Sequence, residues 1–376
     1  MANNIVGDVY TKLGVRSVIN AGGSTTTWGG STPSPVVKQA MDSADSNWVE
    51  MGELLEKSGA YIAKTLGVEA AYVTTGCYAA MTLSAAACIA GKDPEKRHRL
   101  PDTTGMKNEI LLQKRQQYGF ARAYLVPGGK LVEVGNSDGC TPEQLERAIS
   151  PNTAAVAYFV MPDWGSSVVS LEETVRIAHA HSVPVIADAA SRIYPLDYFR
   201  HVAQSADLVC VAGKYFNASQ STGFVCGTKG LVEAAVAEGL SFARAMKIDR
   251  QEIFGLVAAL EAWFSMDHEK RFMEYDAKFD VIERGLQGIP NVLGTKVLHV
   301  PRHPGVTLHL VLNTTGLGKN AQQVARELQD GNPCIRVLSE GDDTINVNVH
   351  TLNEGEEHVV ADRLRSVLTD KHPGSR

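Results

Sequence analysis

The sequence lacks any apolar run near the roughly 18 residues that a membrane-spanning helix needs. It has no internal repeat and no low-complexity tract, which excludes solenoids and long disordered tails. It has no surplus of basic charge. Its 36 Lys+Arg stand against 42 Asp+Glu, a net charge of −6 with an isoelectric point near 6.0. That balance argues against broad nucleic-acid binding. The N-terminus Met1-Ala2-Asn3-Asn4 has neither a basic n-region nor an apolar h-region, so no secretory signal is expected. Cysteine is sparse. Cys77, Cys88, Cys140, Cys210, Cys226 and Cys334 are dispersed without a C-x-x-C pair, which leaves no zinc or redox motif. They read as buried reduced thiols, and the expected setting is a reducing cytoplasm with no bound metal.

What remains is an ordinary globular composition, 44% hydrophobic and 21% charged over 376 residues. The length suits two to three domains. Through the middle of the chain, strand-like and helix-like segments alternate. Strands are expected at Ala70–Thr74, Ala121–Val126, Leu131–Val134, Thr153–Met161, Val183–Ala187, Asp207–Val211 and Gly223–Cys226. Helices are expected at Cys77–Ala90, Pro142–Ile149 and Leu171–His181. Apolar strands without alternation, separated by helices, predict an α/β fold with a mainly parallel sheet covered on both faces.

Beyond about residue 285 the texture changes. Val306–Leu312 alternates as a half-exposed strand. Ala321–Gln329 is an amphipathic helix, Ile335–Leu338 and Ile345–Val349 are strands, and Glu354–Leu368 closes the chain as a helix. The expected organisation is an N-terminal arm over residues 1–45, a large domain over 46–285 and a small α+β domain over 286–376. The arm is rich in turn residues at Ala21–Ser31. The segment Gln251–Phe279 reads as one long helix joining the domains.

Three features carry chemistry. The stretch Thr74-Thr75-Gly76-Cys77-Tyr78 joins a strand to a helix through glycine. A helix N-terminus offers unpaired N–H groups and a positive dipole end to a phosphate, or it is a plain turn. Asp188 ends the apolar strand Val183–Ala187. There a carboxylate either binds a cationic ring nitrogen or caps the next turn. Lys214 follows the strand Asp207–Val211. It is either a desolvated amine nucleophile or a surface lysine that happens to end a strand. In this order the three match the needs of pyridoxal 5′-phosphate (PLP): a phosphate cup, a partner for the ring nitrogen, and a Schiff-base lysine.

With these residues the chain resembles the fold-type-I PLP enzymes. Within them it resembles the branch of bacterial selenocysteine synthase and D-glucosaminate-6-phosphate ammonia-lyase, the second more than the first. The matching segments are Val18–Gly22 with Gly29–Ser31, Ala71–Ala80, Leu100–Glu109, Pro184–Ala190, Ala206–Lys214, Met246–Leu260 and Thr351–Gly355. The resemblance implies an aspartate-aminotransferase-like fold, with a seven-stranded sheet in a large domain plus a small C-terminal domain. It also implies a homodimer or higher oligomer with shared active sites. Lys214 then takes the Schiff-base role and Asp188 the ring-nitrogen partner. Gly76, Cys77 and Tyr78 form the phosphate cup, to which Thr75 could add a hydroxyl, and Gln220 and Thr222 lie near the cofactor. Three positions depart from the family pattern. Val211-Ala212-Gly213 replaces Ser-Gly-Gly, Ala218-Ser219-Gln220 replaces Gly-Pro-Gln, and Tyr78 replaces a small residue.

The substrate expected is a small hydroxylated amino acid. Elimination at Cα and Cβ would give a 2-oxo acid and ammonia. Racemisation, aldol-type cleavage, transamination and selenocysteine-synthase-like β-substitution start from the same Cα chemistry. Arg244 and Lys247, three apart, would share a helical face that either binds the substrate carboxylate or is simply a solvated basic face. Arg336 would add a cation from the small domain, and Asn20 and Ser24 would line the entrance. Lys107 and Arg192 are weaker candidates.

Overall fold

The computed structural model describes residues 9–161, 164–238, 242–299 and 306–369. The first eight residues of the expected arm and the last seven of the chain lie outside them. The chain forms two compact units. One runs from Ser31 to Ser265; the other takes the N-terminal segment through Gly30 and the chain from Met266 onward. The division therefore falls at Ser265/Met266 rather than at 285/286. The reason lies in the helix His268–Leu286, whose Phe279, Ile282 and Leu286 sit in the core of the second unit.

The first unit is built on a seven-stranded sheet. Its strands are β2 (Ala70–Thr74), β3 (Glu109–Gln113), β4 (Lys130–Val134), β5 (Thr153–Phe159), β6 (Val185–Asp188), β7 (Leu208–Ala212) and β8 (Gly223–Gly227). The spatial order is β2-β8-β7-β6-β5-β3-β4. Neighbours pair in parallel except around β8, which runs antiparallel to both β7 and β2. The helix Cys77–Ala90 is apolar around nearly its whole circumference and is buried accordingly. Met81, Leu83 and Ile89 join Ile110, Leu112, Ile186 and Val225 in one core.

Four expectations change here. The segment expected as strand 121–126 is a 3₁₀ helix, Gly119–Leu125, that buries Ala121, Ala123 and Tyr124. Strand β3 was not anticipated. The expected helix over 251–279 is two, Arg250–Ser265 and His268–Leu286. Asp267 starts the second by accepting from the Lys270 N–H at 3.0 Å. Residues Pro35–Ala44 of the expected arm are helical, with proline at the first position.

The second unit holds a four-stranded antiparallel sheet. Its strands are β9 (Val292–His299), β10 (Val306–Leu312), β12 (Leu338–Glu340) and β13 (Thr344–Asn348), in the order β12-β13-β10-β9. β10 alternates strictly between buried and half-buried residues, as its sequence required. The segment expected as strand 335–338 is divided. β11 (Ile335–Arg336) pairs in parallel with β1 (Ile19–Asn20), and Leu338 opens β12. The helix Ala321–Asp330 is closed at its start by a reciprocal Asn320–Gln323 capping box.

Candidate active site

The sheet of the first unit brings the three chemical features to one edge. β6 ends on Asp188, and β7 runs parallel beside it with Cys210 opposite Asp188. Lys214 follows the end of β7 in the 3₁₀ turn Gly213–Phe216. Gly223 opens β8 at the same edge, opposite Thr74, the last residue of β2. This is the carboxyl end of the parallel strands, where ligands collect in open α/β sheets.

Gly76 is the N-cap of the helix Cys77–Ala90. Its φ of 95° suits glycine, and no side chain caps this helix start. A Cβ on Gly76 would meet nothing within 4 Å, so the space beside the free N–H groups is open. Gly223 makes the approach possible from below. A Cβ there would lie 2.6 Å from the Gly76 carbonyl carbon and 2.8 Å from the Cys77 nitrogen. The Thr75 hydroxyl donates to the Met246 carbonyl at 3.3 Å, and the Tyr78 side chain is exposed.

Asp188 is buried, 3% exposed. Its Oδ1 accepts from the Ala190 N–H at 3.0 Å and from the Cys77 thiol at 3.4 Å. Its Oδ2 accepts from the Tyr118 hydroxyl. Burial raises its pKa, while the bonds from Tyr118, Ala190 and Cys77 and the charge of Arg192 pull it back. The result is a carboxylate short of compensating positive charge. A cation delivered into the site would supply it.

Lys214 is half-buried, and desolvation lowers its pKa. Its ammonium lies 5.2 Å from the Tyr215 ring centroid. The turn that carries it requires glycine at 213, because a Cβ there would come within 2.1 Å of Thr222 Oγ1. The Gly213 N–H also donates to the Thr222 carbonyl at 2.8 Å. Thr222 thus underpins the lysine turn, with its hydroxyl donated to the Ser219 carbonyl at 2.8 Å. The buried Oε1 of Gln220, close by in sequence, has no hydrogen-bond partner.

Other expected residues are placed differently. Arg244 lies on a short 3₁₀ helix, Phe242–Met246, and Lys247 follows it, so the pair does not share an α-helical face. Both side chains are exposed. The Thr75–Met246 bond ties this basic segment to the Gly76 turn. Arg192 is buried, and its Nε donates to the Val160 carbonyl at 2.9 Å. Asn20, Ser24 and Arg336 belong to the second unit. There the Asn20 amide donates to the Gly23 carbonyl at 3.0 Å, and Ser24 Oγ lies 3.3 Å from His350 Nε2. The Arg336 guanidinium stacks on Trp28 at 4.7 Å. Lys107 lines a separate cleft of about 690 Å³ with Asp102, Thr103, Asn108 and Asn152. These residues precede β3 and β5, so the cleft lies at the opposite end of the parallel strands.

Sequence reasoning missed Tyr118. Its ring stacks on Phe159 at 4.1 Å and 5°. Phe159 is the register partner of Asp188 on β5. No motif marks Gln116-Gln117-Tyr118-Gly119, and only the fold brings it to Asp188. A buried carboxylate in need of a cation, a desolvated amine, an open uncapped helix start and an unpartnered amide oxygen fit a phosphorylated pyridine aldehyde. Asp188, Lys214, the Gly76–Tyr78 backbone and Gln220 are the residues that could hold it.

No protein-family model matches the chain. It is 32% identical over 370 residues to the D-glucosaminate-6-phosphate ammonia lyase of Salmonella typhimurium, covering 96% of this chain and 98% of that protein. It is 33% identical over 381 residues to a 5′-C-glycyluridine monooxygenase-decarboxylase of a Streptomyces species, covering 97% and 93%. The L-seryl-tRNA(Sec) selenium transferase of Moorella thermoacetica is 24% identical over 67% of this chain and 57% of its own length. A solved D-glucosaminate-6-phosphate ammonia-lyase superposes with a TM-score of 0.85 at 31% identity, over 96% and 98% of the two chains. The aspartate aminotransferase of Thermotoga maritima shares the fold alone, with a TM-score of 0.56 at 16% identity over 98% and 96%. The chain belongs to the D-glucosaminate-6-phosphate ammonia-lyase branch of the fold-type-I, PLP-dependent enzymes.

Proposed function

We propose that the chain is a PLP-dependent ammonia-lyase acting on a 2-amino-3-hydroxy acid with a hydroxylated tail. The observation that carries this reading is the placement of Asp188 and Lys214 at the ends of adjacent parallel strands, beside the uncapped helix start at Gly76. The two relatives above 30% identity have names that describe amino acids attached to a sugar-derived tail. That supports the substrate class.

Bound PLP supplies an electron sink for the pair left when a bond to Cα breaks. The residues have separate tasks. The N–H groups at Cys77 and Tyr78 receive the phosphate at the helix start. Asp188 keeps the ring nitrogen protonated. The Lys214 amine holds the cofactor before substrate arrives and then takes the proton from Cα as general base. Its lowered pKa leaves more of it neutral near pH 7. Loss of the Cβ hydroxyl as water, followed by hydrolysis, gives a 2-oxo acid and ammonia. Arg244 and Lys247, tied to the phosphate turn through Met246, serve the substrate's anionic groups. Thr75, Gln220 and Thr222 support the cofactor.

The working enzyme is a homodimer or larger homo-oligomer with shared sites. Support comes from large apolar side chains exposed on the catalytic unit, Trp48 at 90% and Tyr78 at 42%. The setting is cytoplasmic, in keeping with six free cysteines. None of the described helices is long and apolar enough to cross a membrane.

A second reading is favoured by the monooxygenase-decarboxylase relative, equally similar in sequence. In it the Cα–carboxylate bond breaks instead. The test is to incubate the purified chain with D-glucosaminate 6-phosphate and other 2-amino-3-hydroxy acids. Elimination releases equimolar ammonia and 2-oxo acid without oxygen uptake. Carbon dioxide release with oxygen uptake would establish the second reading. Exchange of the Cα proton in deuterium oxide without 2-oxo acid would exclude both and point to racemisation.

A further inference from the structure

The carboxylate of Asp188 receives more donors than a ring-nitrogen partner needs. Three converge on its two oxygens: the Tyr118 hydroxyl, the Cys77 thiol and the Ala190 N–H. An ionised carboxylate only accepts, so three donors fit the charged form. A protonated one would have to turn its own hydrogen towards one of them.

The phenol is also held in place. Tyr118 stacks on Phe159, whose backbone pairs with that of Asp188. The Phe159 carbonyl in turn accepts from Gln116 Nε2 at 3.1 Å and Trp164 Nε1 at 2.9 Å, which fixes this strand end. Cys77 is the first residue of the phosphate-facing helix, so its thiol links the phosphate turn to the carboxylate.

We propose that Tyr118, assisted by Cys77, is a positioning residue that holds Asp188 ionised and aimed for a cationic ring nitrogen. Buried in this way, Asp188 would otherwise take up a proton and lose its partner's charge. The inference rests on Asp188 being the ring-nitrogen partner, and it adds a residue that no motif marks. The other titratable groups around the carboxylate are Cys210 from β7, Tyr215 from the turn after it, Tyr124 from the segment after β3, and Arg192 from Asp188's own loop, while Lys214 faces the neighbouring Cys77 thiol. Tyr118→Phe keeps the ring that stacks on Phe159 and, besides its bond to Asp188, removes the Tyr118 hydroxyl from the buried Tyr124 phenol.

The test is the titration of Asp188 in the full chain freed of cofactor, followed by pH-difference infrared spectroscopy. The carboxyl band is assigned by its loss in Asp188→Asn. Tyr118→Phe is expected to tighten the Asp188 proton about tenfold, moving its midpoint upward by about one pH unit. Cys77→Ala is expected to move it the same way by less, since a thiol is a weak donor. In PLP titrations of Tyr118→Phe, binding is then lost at a higher pH on acidification than in the wild type. A wall that merely packs would leave the midpoint where it is. An unchanged midpoint in folded Tyr118→Phe overturns the proposal. If that variant does not fold, an unchanged midpoint in Cys77→Ala does so. Failure of the wild type to bind PLP would sink the functional reading, while the infrared midpoint still decides what Tyr118 does.

Discussion

The two ends of the parallel sheet make an instructive pair. At the amino end lies a cleft lined by Pro101–Asn108 and Pro151–Asn152. Several of its polar groups bond to one another. Asp102 Oδ1 accepts from the Thr104 N–H at 3.0 Å, Arg99 Nη2 donates to the Thr104 carbonyl at 2.6 Å, and Asn108 donates to Thr103 at 2.8 Å. At the carboxyl end ionisable groups are drawn out of water. Asp188 is buried against its pKa, Lys214 is desolvated, the helix start at Gly76 has no cap, and Gln220 Oε1 has no partner. A fold seldom tolerates such a collection unless a ligand relieves it. A buried carboxylate, a desolvated amine and an uncapped helix start mark the site.

Substitutions at the two ends should therefore behave differently. The largest effect is expected for Lys214→Ala, which removes both the anchor and the base. Turnover should fall by about 10³-fold or more, with the fold intact by circular dichroism. Next comes Asp188. Removing one partner of a buried pair costs about 3–5 kcal/mol. PLP should therefore bind Asp188→Asn about 10²–10⁴-fold more weakly by equilibrium dialysis.

The same variant should have the opposite effect on the cofactor-free chain. Burial raises the Asp188 pKa above its unfolded value. Its contribution to stability is therefore full below the unfolded pKa and is lost as pH rises through the folded one. At neutral pH the cofactor-free Asp188→Asn chain should melt at or above the wild type. A lower melting temperature would show that the carboxylate is fully compensated without PLP. The smallest effect is expected at the amino end. Asp102→Ala removes bonds within an exposed loop and should leave the melting temperature close to that of the wild type. PLP binding and turnover should not change, and a loss of either would break the comparison.

Much of the catalytic unit was legible in the sequence because apolar runs there end on glycine or on a charged residue. Ala70–Thr74 and Cys77–Ala90 occur as expected, since Gly76 separates a strand from a helix. Asp188 and Lys214 stood out as polar residues closing apolar strands. Other parts were hidden for physical reasons. β3 has only three consecutive apolar residues before Gln113, which is buried and exchanges two hydrogen bonds with the Val169 backbone at 3.0 and 2.8 Å. A glutamine used as core is invisible to a hydrophobic pattern. Residues 121–126 have strand-like composition, but tertiary packing decides their form. The Ala123 carbonyl accepts from Thr82 on the buried helix at 3.2 Å. Tyr118 was hidden because its partners, Asp188 and Phe159, are distant in sequence and meet it only in the fold.

The central claim is that the carboxyl end of the sheet, through Lys214, holds PLP. The direct measurement is to load the full chain with PLP, reduce it with borohydride, digest it and map the modified peptide by mass spectrometry. The account predicts a phosphopyridoxyl group on Lys214, absent from the Lys214→Ala digest. A label on Lys107, at the opposite end of the sheet, or no label at all in the wild type, would contradict it.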